Sequence, residues 1–159
     1  MRRLSLAIAL KLSAATLATT TLATTSVVMA GETPAPENAK AYFINLKDGD
    51  TASSPVVIRF GLSGMGVAPS GTEAPNTGHH HLLIDAPALE GDALNEAIPV
   101  DSGHVHFGKG QTEASVTLTP GKHTLQLVLG DWSHIPHNKP VMSERITVTV
   151  EPATQAKSP

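Results

Sequence analysis

The residues best suited to chemistry are eight histidines, all of which lie between residues 79 and 137. The chain contains no cysteine, so thiolate is excluded as a metal ligand and imidazole is the leading candidate. His104 and His106 flank Val105 in the segment SGHVHFG. If Val105 faces a core, both imidazoles project from the other face of a strand, about 6.5–7 Å apart along it. Two imidazoles placed in this way can bind one ion through nitrogens about 2 Å from the metal.

The segment TGHHHLLID contains a second pair with the same spacing. Leu82 and Ile84 alternate as core positions, which places His80 on their face of the strand. His79 and His81 then lie together on the opposite face. We therefore predict two further metal ligands at His79 and His81. For His80 the structural interpretation, a buried imidazole hydrogen-bonded to the backbone or to a carboxylate, stays open beside a functional one.

A third group of candidate ligands follows the apolar segment TLQLVLGD, in the loop WSHIPHN. His134 and His137 flank Pro136, which cannot continue a strand, so both belong to a loop at the end of the sheet. The acid Asp131, at the start of this loop, is a candidate for orienting ligands, as is Asp85. The predicted metal ligands are His79, His81, His104, His106, His134 and His137, with one of the last two completing the site.

Other interpretations of these residues remain open. A His-x-His pair on a strand is more often solvated than bound to metal, and loop histidines are often plain surface residues. His123 is in phase with Leu125 and Leu127, which favours a structural position at the edge of the core. Soft ligands for copper(I) would have to come from Met65 or Met142.

The elements that must position these side chains are short strands. Apolar runs of four to ten residues alternate with Gly, Pro, Asn and Asp, and no helical periodicity extends beyond one or two turns within 88–97. This pattern predicts an all-β fold, a single antiparallel immunoglobulin-like β-sandwich of about seven strands. The predicted strands cover residues 41–46, 55–62, 79–85, 104–108, 114–119, 122–131 and 143–151. Leu125, Leu127, Leu129, Ile146, Val148 and Val150 are predicted to face its core.

The two ends of the chain differ in composition from this domain. Residues 1–30 combine two arginines, an apolar run and a Val-Met-Ala ending, which is typical of a secretory signal peptide. Residues 31–40 are polar and Pro-rich and predict a flexible leader; 41–151 form the sandwich domain, and 152–159 a disordered tail. We therefore expect a periplasmic or secreted protein with no membrane span in its mature form.

The net charge of the chain limits the classes of partner that it can bind. Removal of residues 1–30 takes away three bases and no acid, leaving 129 residues with eight bases and fourteen acids, a net charge of −6 with neutral histidines. An acidic chain lacks the basic face that nucleic acid binding requires. The expected partners are a metal ion and, as a further hypothesis, another protein of the cell envelope.

The run from FINLKDGD through GHHHLLID, HVHFGKG and LGDWSHIPHNKP to ITVTV resembles a bacterial exported family known only as a domain of unknown function. The resemblance covers residues 43–150 and implies an exported all-β domain, with no reaction attached. The short segment GHVHFG is also similar to the copper-ligand strand of copper–zinc superoxide dismutases. That likeness covers about six residues, and the chain departs from the dismutase pattern because it lacks cysteines and its HHH segment precedes the His-x-His pair.

Three functions follow from these observations. The leading one is an exported module that binds a divalent transition metal, copper or zinc. The second is a structural or partner-binding envelope domain without metal. The third is a dismutase-like metalloenzyme, although the chain has no nucleophile elbow, phosphate loop or HExxH motif.

Overall fold

The computed structural model describes residues 31–152, and the predicted signal peptide and residues 153–159 of the predicted tail lie outside the described residues. Nine strands and one short 3₁₀ helix make up the described part of the chain. The strands are β1 (Lys40–Phe43), β2 (Thr51–Ser53), β3 (Val56–Ser63), β4 (Gly66–Val67), β5 (Thr77–Ile84), β6 (His104–His106), β7 (Glu113–Val116), β8 (Gly121–Gly130) and β9 (Ile146–Glu151), and the helix is Gly91–Asn95. The protein is therefore all-β, as its sequence predicts.

The strands form two sheets that share one core. The smaller sheet has the order β1-β3-β7, and the larger has the order β2-β9-β8-β5-β4, with β6 also paired to β5. Side chains from both sheets meet in one apolar cluster. All six positions predicted to face the core belong to it: Leu125, Leu127, Leu129, Ile146, Val148 and Val150. The two-residue alternation of apolar side chains in β8 and β9 therefore predicted correctly which residues face the core.

The larger sheet is covered on its second face as well. Leu83 on β5 and Val128 on β8 point away from the main core and pack with Ala86, Leu89 and Ile98 of the long β5–β6 connection. This cover explains why β5 and β8 are buried on both faces over much of their length. It also means that His79 and His81, on the same face as Leu83, lie in a protected environment.

The prediction of a purely antiparallel arrangement was wrong in two places. β2 pairs with β9 in parallel, and β4 pairs with β5 in parallel. Hydrogen bonds of the Asp48–Asp50 turn explain the first case, because the Asp48 side chain accepts from the Thr147 amide and the Asp50 carbonyl accepts from the Thr149 amide. These bonds hold the chain alongside β9 as it enters β2, so a short parallel ladder forms.

Residues 31–39, most of the predicted flexible leader (31–40), lie against the loop that follows β8 and against the 3₁₀ helix. Gly31 N–H donates to Asn95 Oδ1 at 2.9 Å, and Thr33 Oγ1 donates to Asp131 Oδ2 at 2.6 Å. The Asn138 amide donates to the Thr33 carbonyl at 3.0 Å. Polar, Pro-rich composition predicted the irregular backbone but could not reveal these long-range partners.

Within residues 31–152, no helix has the length and apolar character needed to cross a membrane.

Candidate metal centre

Strand β5 supplies two of the candidate ligands. Its side chains alternate between faces, so His79 and His81 point to one side and His80 and Leu82 to the other. The rings of His79 and His81 are fully buried, with centroids 4.9 Å apart. Their Nε2 atoms lie 3.1 Å from each other. The i, i+2 spacing read from the sequence therefore does bring this pair together.

Strand β6 supplies one further ligand, and its register decides which one. β6 runs antiparallel to β5, with His106 opposite His81 and His104 opposite Leu83. His106 thus lies beside the β5 pair, with ring centroids 5.0 Å from both His79 and His81. His104 lies one repeat farther along the strand, away from His79, and its Nδ1 is 2.9 Å from Asp101 Oδ1.

The loop after β8 supplies the fourth ligand. His134 has a φ of +70°, one of three non-glycine residues with positive φ in the described chain. The turn is held by Asp131, whose Oδ1 accepts the amides of Ser133 at 2.8 Å and Ile135 at 3.0 Å. This conformation places His134 Nδ1 3.0 Å from His79 Nε2.

Together these elements bring His79, His81, His106 and His134 to one point. One nitrogen of each ring lies within 4.8 Å of the corresponding nitrogen of every other ring. Four nitrogens about 2.0 Å from a tetrahedral ion would be separated by about 3.3 Å, so the 3.0 Å and 3.1 Å contacts match the spacing that one ion requires. Nε2 of His106 is buried and has no hydrogen-bond partner among the described residues, which leaves its lone pair free for an ion.

The electrostatics of the cluster favour the neutral form of His79, His81 and His106. Burial, together with the neighbouring imidazoles, lowers the pKa of His79 from 6.5 to about 4 and that of His81 to about 2. Burial followed by the effect of His134 also lowers the pKa of His106. Metal binding requires neutral imidazole, so these rings are in the ligand form at neutral pH without releasing a proton.

Two glycines make room for the four rings. A Cβ on Gly108 would lie 2.3 Å from Cε1 and 2.5 Å from Nε2 of His106. A Cβ on Gly130 would lie 3.0 Å from Nε2 of His81. The sequence reasoning missed both residues; the glycine two positions after His-x-His and the glycine that ends the Leu-x-Leu strand were the available signals.

The remaining candidate ligands lie outside the cluster. His137 is fully buried, but its Nε2 donates to the Thr77 carbonyl at 3.2 Å. Met65 packs against the main core and Met142 against the second apolar cluster. His104 is held by Asp101, as described above.

Two histidines have structural positions, as their phase in the strands predicts. His80 is fully buried, with its ring centroid 5.3 Å from that of Phe60. Neither of its ring nitrogens has a hydrogen-bond partner among the described residues, so the expected bond to backbone or carboxylate is not formed. Nδ1 of His123 is 2.7 Å from Asp85 Oδ2, and its Nε2 is 2.8 Å from the Thr119 carbonyl. Both acceptors favour the doubly protonated ring, so the hydrogen bond that His123 donates to Asp85 raises the pKa of His123.

The two acids singled out from the sequence have separate roles. Asp131 is 4% exposed and shapes the His134 loop, whereas Asp85 joins the end of β5 to β8 by accepting from the Thr124 amide at 2.7 Å. Asp131 thus holds a candidate ligand in place without itself belonging to the group of four.

Comparison with known proteins yields one match. No curated protein and no solved structure matches the chain at a significant level. A family profile described as "Domain of unknown function (DUF4399)" matches residues 58–151, which include β5, β6, β8 and all four clustered histidines. The match covers more than half of the chain, so the protein belongs to this family of domains of unknown function.

Proposed function

We propose that the protein is an exported binding module that holds one divalent transition-metal ion, copper or zinc, between His79, His81, His106 and His134. One observation carries the proposal: two strands and a loop, distant in sequence, place four imidazole nitrogens within 4.8 Å of one another. A cluster of four imidazoles, two of them fully buried and two partly buried, is costly without an ion between them, because only some of their nitrogens can hydrogen-bond to each other. A shared metal ion would satisfy all four lone pairs at once.

The chemistry of the ligand set supports copper or zinc. Neutral imidazole suits zinc and copper(II), and the chain offers no thiolate that would favour softer ions. The acidic net charge of the chain favours a cation as the bound species. The hydrogen bonds around Asp131 fix the loop ligand, as the outer partners of metal ligands commonly do.

The location and topology are parts of the same proposal. The basic start, the apolar run and the Val-Met-Ala ending of residues 1–30 support export to the periplasm or beyond it. Two sheets around one core support an immunoglobulin-like sandwich.

Calorimetric titration of metal-free protein, produced without a histidine tag, tests this function. Parent protein should bind one equivalent of Zn²⁺ or Cu²⁺. His106→Gln should weaken binding by at least about 10-fold, the loss of about 1.4 kcal/mol, because it removes a clustered nitrogen. His104→Gln is the matched control, since it changes the same residue type on the same strand and face but outside the cluster, and it should bind like the parent. Equal binding by His106→Gln and the parent, or no binding by either, would favour a structural or partner-binding domain.

A further inference from the structure

We propose, on the basis of the proposed metal-binding function, that the four-histidine site is a closed tetrahedral centre whose cognate ion is zinc. The metal-binding proposal leaves copper and zinc open, and these ions differ in the arrangement of ligands that they prefer. Copper(II) and nickel(II) favour square-planar or tetragonal nitrogen sites, whereas zinc has no d-electron preference and is commonly tetrahedral. The arrangement of the four rings can therefore distinguish between them.

All six separations between the four rings are short. Five of the six centroid distances fall between 4.7 and 5.0 Å, and only the His81–His134 distance is longer, at 6.0 Å. In a regular tetrahedron all six distances are equal. In a planar square the two diagonals are each about 1.4 times the sides. The second diagonal here, between His79 and His106, is 5.0 Å and no longer than the sides. The four rings thus form a slightly distorted tetrahedron.

The backbone fixes this arrangement. His79 and His81 come from one strand and His106 from its antiparallel neighbour, so three rings rise from one face of a sheet. His134 comes from the loop that follows β8, and its ring lies edge-on to those of His79 and His106, with interplanar angles of 89° and 81°. Three donors from a sheet face and one from a loop above it produce a three-plus-one arrangement, which is tetrahedral.

The site is also closed. Four protein nitrogens complete a tetrahedral coordination sphere, and His79 and His81 are fully buried. Catalytic zinc centres instead keep one position for water or substrate and use three protein ligands. The geometry therefore favours a bound ion that is held, as in structural or storage sites, over one that performs hydrolysis.

Copper(II) binds most nitrogen sites tightly, so its affinity says little about the geometry of a site. Binding of Ni²⁺ and Co²⁺ tests the tetrahedral geometry instead. Flexible nitrogen sites usually bind Ni²⁺ more tightly than Co²⁺, following the general order of first-row metals. A site held in a tetrahedral shape penalises Ni²⁺. We therefore expect Zn²⁺ to bind at least about 10-fold more tightly than Ni²⁺. The Co²⁺ form should show the intense visible absorption of four-coordinate cobalt.

The experiment titrates untagged, metal-free protein with Co²⁺, displaces the Co²⁺ with Zn²⁺, and measures Ni²⁺ against Zn²⁺ in competition. One equivalent of intensely absorbing Co²⁺, displaced by one equivalent of Zn²⁺, supports the proposal. His106→Gln should lose most of this intensity as water replaces the ligand, whereas His104→Gln should retain it. Weak Co²⁺ bands with one equivalent bound, or Ni²⁺ binding at least as tight as Zn²⁺, would overturn the tetrahedral assignment and leave metal binding intact. Binding of Cu²⁺ alone would overturn the zinc assignment and leave metal binding intact, whereas failure of the parent to bind these three ions or Cu²⁺ would overturn both proposals.

Discussion

Removal of the Asp131 carboxylate should weaken metal binding although this residue is not one of the clustered ligands. The carboxylate accepts two backbone amides of the loop and the Thr33 hydroxyl, at 2.8, 3.0 and 2.6 Å. The loop it holds carries His134 at a φ of +70°, a conformation that costs a non-glycine residue about 1–2 kcal/mol. Hydrogen bonds to a charged group contribute about 1.5–3 kcal/mol each. In Asp131→Ala the loop should relax toward ordinary φ values and withdraw the His134 imidazole.

We expect the dissociation constant for Zn²⁺ to rise about 10- to 100-fold, which corresponds to about 1.4–2.8 kcal/mol. Competition against a chromophoric chelator measures this change, and thermal unfolding of the metal-free protein measures stability in parallel. Asp85→Ala is the matched control. Asp85 also has a positive φ and accepts a hydrogen bond from a backbone amide, but it follows the last residue of β5, away from His79 near the start of that strand. It should lower stability and leave affinity unchanged. An Asp131→Ala protein that binds Zn²⁺ as tightly as the parent, or an equal loss of affinity in both variants, would refute the reasoning.

Three further predictions concern the surroundings of the site and the core. Gly108→Ala should weaken metal binding at least about 10-fold, because the new Cβ would lie 2.3 Å from Cε1 of the ligand His106. Gly66→Ala is the control, since its Cβ would meet no atom nearer than 3.5 Å, and equal affinities of the two variants in chelator competition would contradict the prediction. His80→Leu should make the stability of the metal-free protein less sensitive to acid. Burial lowers the pKa of His80 in the folded protein to about 4. Between about pH 6.5 and pH 4 only the unfolded chain therefore takes up this proton, and the free energy of unfolding falls as the pH falls. Urea unfolding at about pH 7 and about pH 4.5 should show a smaller loss in the variant, by about 2 kcal/mol, and an unchanged loss would contradict the burial argument. His123→Gln should be most destabilising near pH 6, because the raised pKa of His123 stabilises the fold fully below the unfolded pKa of about 6.5 and this contribution is lost as pH rises through the folded pKa. On the acid side the ion pair is lost as pH falls through the lowered pKa of Asp85. A destabilisation that is equally large at about pH 9 would argue against the pair.

Periodicity was sufficient to predict which side chains of β5, β8 and β9 face the main core. The alternation of Leu125, Leu127 and Leu129 identified the core face of β8, and the phase of Leu82 separated His80 from its two neighbours. The face on which a side chain lies depends only on the two-residue repeat of a strand, and this repeat can be read from the local sequence. For the same reason the pair of His79 and His81 could be recognised as sharing one face.

The identity of the third and fourth clustered histidines could not be predicted in this way. His104 and His106 share a face, and only the register of β6 against β5 sets His106 opposite His81 and moves His104 opposite Leu83. Register depends on pairing between strands about twenty residues apart, which local spacing does not encode. Similarly, His134 and His137 are equivalent in sequence, and the bonds of Asp131 across its loop determine which one reaches the cluster.

The parallel ladders and the contacts of the segment before β1 were missed for a related reason. The β2–β9 ladder and that segment are held by residues roughly a hundred positions away, through the amide of Thr147 on Asp48 and the hydroxyl of Thr33 on Asp131. The β4–β5 ladder pairs Gly66 with Thr77 across a loop that has no strand pattern. The short polar segments involved carry no periodicity of their own, so composition alone reads them as turns or leaders.

The most direct test of the central claim is the metal content of the protein as it is isolated from cells that produce it. Protein without a histidine tag, isolated from the periplasm or medium and analysed by elemental mass spectrometry, should contain one equivalent of zinc per chain. The His106→Gln protein should contain far less, and the His104→Gln protein should match the parent. A parent protein that carries no transition metal, and that takes up none when Zn²⁺ or Cu²⁺ is added, would contradict the account.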